Sequence, residues 1–152
     1  MNVDELLAHA EGLPIDTQAS LRRTTSAAYY AIFHELCSLV ADQFIGRDRR
    51  ATKEYARCYR TLNHQNVAKG AALYAKAGGA DESAHFVCNT AKDARIERNL
   101  ADYDPHYQAT ADNVLMMVFT ARICIDTLRA MSSEERLRLA TALVFSDRER
   151  RD

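Results

Sequence analysis

Leu21, Thr25, Ala28, Ile32, Leu36, Val40 and Phe44 recur at intervals of three and four, which predicts one continuous core stripe along a long helix. Asp16 or Thr17 offers its N-cap, and Gly46 is its expected end. A second series, Tyr107, Ala111, Val114, Val118, Ala121, Ile125 and Leu128, alternates fours and threes for three heptads, as a bundle helix does. That helix is expected to start at Asp104-Pro105, with Asp104 as cap and Pro105 in the first helical position, where its missing N–H costs nothing.

Weaker patterns fill the rest. A short helix at about 3 to 11 ends in Gly12-Leu13-Pro14. The stretch from about 52 to 77 carries Tyr55, Tyr59, Leu62, Leu73 and Tyr74 but fades at Asn63-His64-Gln65-Asn66, so a kink or two short helices is expected before Gly78-Gly79. A further helix, capped near Asp81 or Ser83, runs to about Tyr103 with Val87, Ala91, Ala94, Arg98 and Ala101 on one line. Ser132 and Glu135 form a capping box for a last short helix to about Phe145. The expected fold is all-α: an antiparallel four- to five-helix bundle with short flanking helices, in one domain over 1–152. Its core spans 17–145, and 146–152 is a frayed, charged tail.

Composition narrows the function classes. The 152 residues carry a net charge of −1, so no global field draws the chain to nucleic acid or to an anionic surface, and RNA contact has to come from a local patch. The opening MNVDELLAHAEG is acidic, unlike a secretory leader, and no run of about 18 apolar residues occurs. A cytoplasmic protein with no membrane contact is expected. Cys37, Cys58, Cys88 and Cys124 lie far apart and read as small buried hydrophobes. No GxGxxG, Walker loop, GxSxG or HExxH is found, and His9, His64 and His85 have no partner at ligand spacing, so neither cofactor nor metal is expected.

Three constellations carry chemistry. Arg23, Tyr30 and His34 fall on one line beside the core stripe, where they could bind an anion or a base, or serve as core-edge residues with bonded polar tips. Arg95, Arg98 and Asp102 share one side of their helix. Buried, they form an ion-paired lock; open to a groove, the arginines hold phosphate. The lock is favoured because an unpaired buried guanidinium is costly and a carboxylate is already supplied. His106, expected at a helix N-terminus where the dipole disfavours imidazolium, is a candidate base for attack by an RNA 2′-hydroxyl, with arginine stabilising the phosphorane. The segment GRDRRATKEYARCYR is the one basic and aromatic patch, a weak RNA signal.

In series, RRTTSAAYYAIFHELC, RTLNHQNVAKGA and ARIERNLADYDP resemble the HEPN superfamily over about residues 17–145. The resemblance implies a four- or five-helix bundle, usually a homodimer, in toxin–antitoxin pairs, phage defence or RNA processing. It also implies a possible nucleotidyltransferase-type antitoxin partner. Active relatives are metal-independent ribonucleases with an Arg followed, after four to six residues, by a His. Arg98-Asn99 matches the start of that pattern, but His106 follows after seven intervening residues, and Asp102-Tyr103 stands where the His belongs. The implied function is a dimer that binds or cleaves RNA. Arg98 would meet phosphate, His106 would act as base, Asn99, Asp102 and Tyr103 would orient them, and Arg95, Arg23, Tyr30 and His34 would complete the RNA or nucleotide surface. The alternative is a non-catalytic interaction or nucleotide-binding module.

Overall fold

A computed structural model describes residues 1–76 and 82–145 of the chain, and among them the fold is an all-α bundle without strands. Its helices are α1 (Val3–Gly12), α2 (Gln18–Phe44), α3 (Lys53–Tyr59), α4 (His64–Lys76), α5 (Glu82–Tyr103), α6 (Ala111–Ala130) and α7 (Ser133–Phe145), with a 3-10 turn at Arg47–Arg49. Helix α2 is the axis: it packs against α1, α3, α5, α6 and α7, while α4 lies on α5 and α7.

That central place explains the burial pattern of α2. Leu21, Thr25, Ala28, Ile32, Leu36 and Val40 are buried as the stripe predicts, and Tyr29, Ala31, Cys37, Leu39 and Ala41 are buried on other sides. A helix covered by neighbours on several faces buries more than one stripe. Phe44, the last member of the stripe, is instead exposed and meets Phe145 edge to face. Glu35 is buried within this axis and would be costly alone. Arg129 of α6 grips both of its oxygens at 3.0 Å and reaches Asp4 of α1 at 2.9 Å, tying three helices with one guanidinium.

Caps appear where the polar side chains allow them. The Thr17 hydroxyl accepts from Ser20 N–H at 3.1 Å, Thr52 from Tyr55 N–H at 3.2 Å, and Ser132 from Glu135 N–H at 3.2 Å. The stretch from 52 to 76 is two helices, and Asn63 caps the second by accepting from Asn66 N–H at 2.9 Å. Ser83 lies inside α5 rather than at its cap. The expected breaks at Gly78-Gly79, the Asp81 cap and the charged tail lie outside the described residues.

One boundary differs by several residues. The fifth long helix does not start at Pro105; residues 104–110 are non-helical, and α6 opens at Ala111 behind a Thr110 cap. Its cause is a set of side chains on the first turns of α2. Arg22 donates to the carbonyls of Ala101 at 3.2 Å, Asp104 at 2.8 Å and Tyr107. Gln18 donates to the Ala109 carbonyl at 2.7 Å and accepts from its N–H at 3.0 Å. Backbone groups that helix formation would have satisfied are satisfied here from outside, so the segment stays non-helical. The Asp104 carboxylate accepts from His106 N–H at 2.8 Å in a tight turn, a local bond that competes with capping.

Helices α4 and α7 touch backbone to backbone at Gly70, where an added Cβ would lie 2.6 Å from Leu143 Cα and 2.9 Å from the Ala142 carbonyl. Gly70→Ala should therefore destabilise the fold by about 1 to 2 kcal/mol despite its better helix propensity, read as a lower urea midpoint. A raised midpoint would mean that α7 is not seated against α4 at this glycine.

Candidate functional site

Arg98 is the centre of the most unusual side-chain cluster in the bundle. It projects from α5 toward α2 and is 5% exposed, the only buried Lys or Arg among the described residues. Its guanidinium carbon lies 5.2 Å from the ring centroid of Tyr29, 5.3 Å from Tyr30 and 5.9 Å from Tyr103. Aromatic faces attract a cation, the more so when water is excluded, and this aromatic box offsets part of the desolvation cost.

The polar contacts are looser. Nη1 donates to the side-chain carbonyl of Asn99 at 3.2 Å and stands 3.7 Å from Asp102, one turn on. Asp102 also accepts from Ser26 at 3.3 Å. The expected Arg98–Asp102 pair is present, but as a partial neutralisation. Arg95 forms no ion pair with Asp102, and the Nε atoms of both Arg95 and Arg98 are buried without a hydrogen-bond partner. Asp102 thus answers Arg98 only in part, and among the described residues the Nε donors of Arg95 and Arg98 stay unused.

His64, the first residue of α4, completes the box. Its ring lies 4.2 Å from Phe33, and its Nδ1 pairs with the Tyr29 hydroxyl at 2.8 Å. Burial, then the charges of Arg98 and Arg95, hold its pKa below the ordinary value, so it is neutral at neutral pH. Burial pushes the Tyr29 phenol up to about 12 although Arg98 pulls the other way, so that hydroxyl keeps its proton. The asparagine and histidine that weaken the helical pattern at 63–66 were the one signal of this role.

The other candidates are distributed differently. Tyr30 joins the aromatic box, whereas His34 turns to Tyr59 at 2.7 Å, its pKa lowered by burial, and Arg23 is exposed and joins neither. Tyr103 is 74% exposed and forms the solvent side of the box. His106 is exposed on the 104–110 connection, not in a first helical turn; among the described residues its side chain contacts none of the cluster. No group of three potential metal ligands gathers among the described residues, and no helix there is long and apolar enough to cross a membrane. No family model, curated protein or solved structure matches the chain.

Two outcomes follow from this geometry. Arg98→Ala empties the box and should cost about 2 to 4 kcal/mol in chemical denaturation through the cavity left among the rings, while Arg98→Met, which keeps the stem and drops the buried charge, should cost clearly less. Equal losses in both variants would assign the stabilisation to charge rather than packing. The second concerns acid. His64 and His34 have folded pKa values below the ordinary 6.5, so the folded chain resists protonation that the unfolded chain accepts. Their contribution is present above the unfolded pKa and lost as pH falls below about 6.5. The melting temperature should drop as pH falls below about 6.5, less steeply in a His34→Gln/His64→Gln double variant; parallel slopes would place the titration elsewhere.

Proposed function

We propose that this chain is an HEPN-like RNA-binding bundle that seats a backbone phosphate at Arg95, Arg98 and His64 and stacks the neighbouring base on Tyr103. The observation that carries this reading is that the buried Nε donors of Arg95 and Arg98 have no hydrogen-bond partner among the described residues while Asp102 neutralises Arg98 only in part. Such donors favour an incoming anion, and an exposed tyrosine at the mouth supplies the sequence-tolerant platform on which unpaired bases stack. The resemblance in the YYAIFH and RNLADY segments supports the choice of RNA, a homodimeric state and a toxin–antitoxin or defence setting.

Binding is favoured over scission. A guanidinium packed among three tyrosines cannot follow a phosphate through a changing geometry, and the imidazole of this cluster is His64, not His106. A second reading, the non-catalytic interaction module, draws on the same burial of Arg98: the box then serves only to lock α2 to α5, and the work falls to a partner such as a nucleotidyltransferase-type chain.

Fluorescence anisotropy with a labelled single-stranded RNA separates the two. Arg95→Ala, at a half-buried residue whose Nε has no hydrogen-bond partner among the described residues, should weaken binding about tenfold and reduce the salt slope by roughly one ion. Tyr103→Ala should weaken it to a similar degree, and His106→Ala should leave it unchanged. RNA affinity indifferent to Arg95 and Tyr103 sinks the phosphate seat and leaves the lock.

A further inference from the structure

The opposite side of α5 carries a second feature, of opposite character. Between α5 and α6 lies a cavity of about 340 Å³ lined by Asp93, Glu97, Tyr107, Asn113, Met116 and Met117, among others, with no lysine or arginine in its wall. Glu97 accepts from the Tyr107 hydroxyl at 2.8 Å, which fixes its carboxylate. Asp93 is exposed and forms no bond or ion pair among the described residues. Two carboxylates one helical turn apart, one fixed and one free, set a negative potential in a partly apolar hollow.

Beside this hollow the surface is greasy. Leu115, Met116, Phe119 and Ile123 of α6 are exposed, Phe119 at 61% and Met116 at 63%, and Ile96 is exposed on α5 next to Glu97. Leu115, Phe119 and Ile123 are four residues apart, so they form one ridge on the helix, and Met116 belongs to both ridge and cavity. Scattered exposed apolar residues need no explanation, but a ridge of this kind running into an acidic hollow has the character of a docking surface.

We infer that the α5–α6 groove binds a basic amphipathic helix of a partner protein, its apolar face on the Leu115–Phe119–Ile123 ridge and one Lys or Arg seated between Asp93 and Glu97. Charge selects this occupant over a second copy of the chain. The polar flanks of the same ridge carry Asp112 and Asp126, so two copies laid antiparallel about Phe119 would bring these carboxylates together, like facing like. Arg122, beside Ile123, is already held by Glu11 of α1 at 2.6 Å, so a cationic helix meets complementary charge at the hollow and at Asp112 and Asp126. The inference is independent of the phosphate seat, because none of its residues contributes to the Arg98 cluster.

The test uses the full chain and a fluorescent synthetic helix of about 18 residues with leucines on one face and lysines and arginines on the other, beside a twin with glutamates in place of the basic residues. The basic helix should bind at least about tenfold more tightly than the acidic twin, and Asp93→Arg or Phe119→Ser should each weaken it about tenfold. Both positions are exposed, and unchanged melting temperatures verify that the variants fold. Arg95→Ala, which addresses the phosphate seat, should leave the peptide affinity as it was. Equal affinity for both peptides, or affinity unchanged in both variants, overturns the inference. So does sedimentation showing a dimer that Phe119→Ser converts to monomer, since a second copy would then cover the ridge.

Discussion

A guanidinium taken out of water has to be held by something, and in this bundle it is held mainly by aromatic rings. Arg98 stands among Tyr29, Tyr30 and Tyr103, with Asp102 at a distance that gives only partial neutralisation. The placement of α5 against α2 follows from this: rings from α2 and a cation from α5 have to meet face on, which fixes the rotation of both helices about their axes. Helix α4 is brought into the same arrangement by His64, whose imidazole bonds Tyr29 and packs on Phe33. One cation thus organises three helices around a polar centre, as Arg129 does with Glu35 and Asp4 near the start of α1.

The helices were legible because burial repeats with their period. The series on α2 and α6 are mostly buried, and Thr17 and Ser132 cap where their side chains have an N–H to accept from. The chain reversal at 104–110 was not legible, although Asp104-Pro105 is a good helix start by local rules. Local rules compare a segment with its neighbours in sequence, whereas the partners that keep this one out of a helix, Gln18 and Arg22, lie more than seventy positions away. Nothing in the local pattern marks Arg22 as different from Arg23, yet one organises the reversal and the other is exposed.

The candidate site was half legible for a related reason. Spacing along α5 placed Arg95, Arg98 and Asp102 on one side, and the Arg98–Asp102 pair appears there. Spacing could not tell which histidine meets them, since that depends on where packing on α5 and α7 brings the first residue of α4. His106 was nearest in sequence and remains outside, while His64, thirty-four positions before Arg98, closes the box. Burial depth was also beyond spacing: the same i, i+4 pair can lie on a surface or beneath a layer of rings, and only packing decides between an ion pair of small net value and a desolvated charge.

Helix α5 therefore separates two fields. At about 100° per residue, Arg95, Arg98 and Asp102 lie on one side, and Asp93 and Glu97 fall roughly 150° away, toward α6. A chain whose total charge is −1 has no field strong enough to collect either an anionic or a cationic partner from a distance, so selection has to be local. Helix α5 provides that locality: its side toward α2 carries Arg95 and Arg98 with Asp102 offsetting part of their charge, and its side toward α6 carries Asp93 and Glu97. The two sides share no residue, so a change at one is not passed to the other through a common side chain.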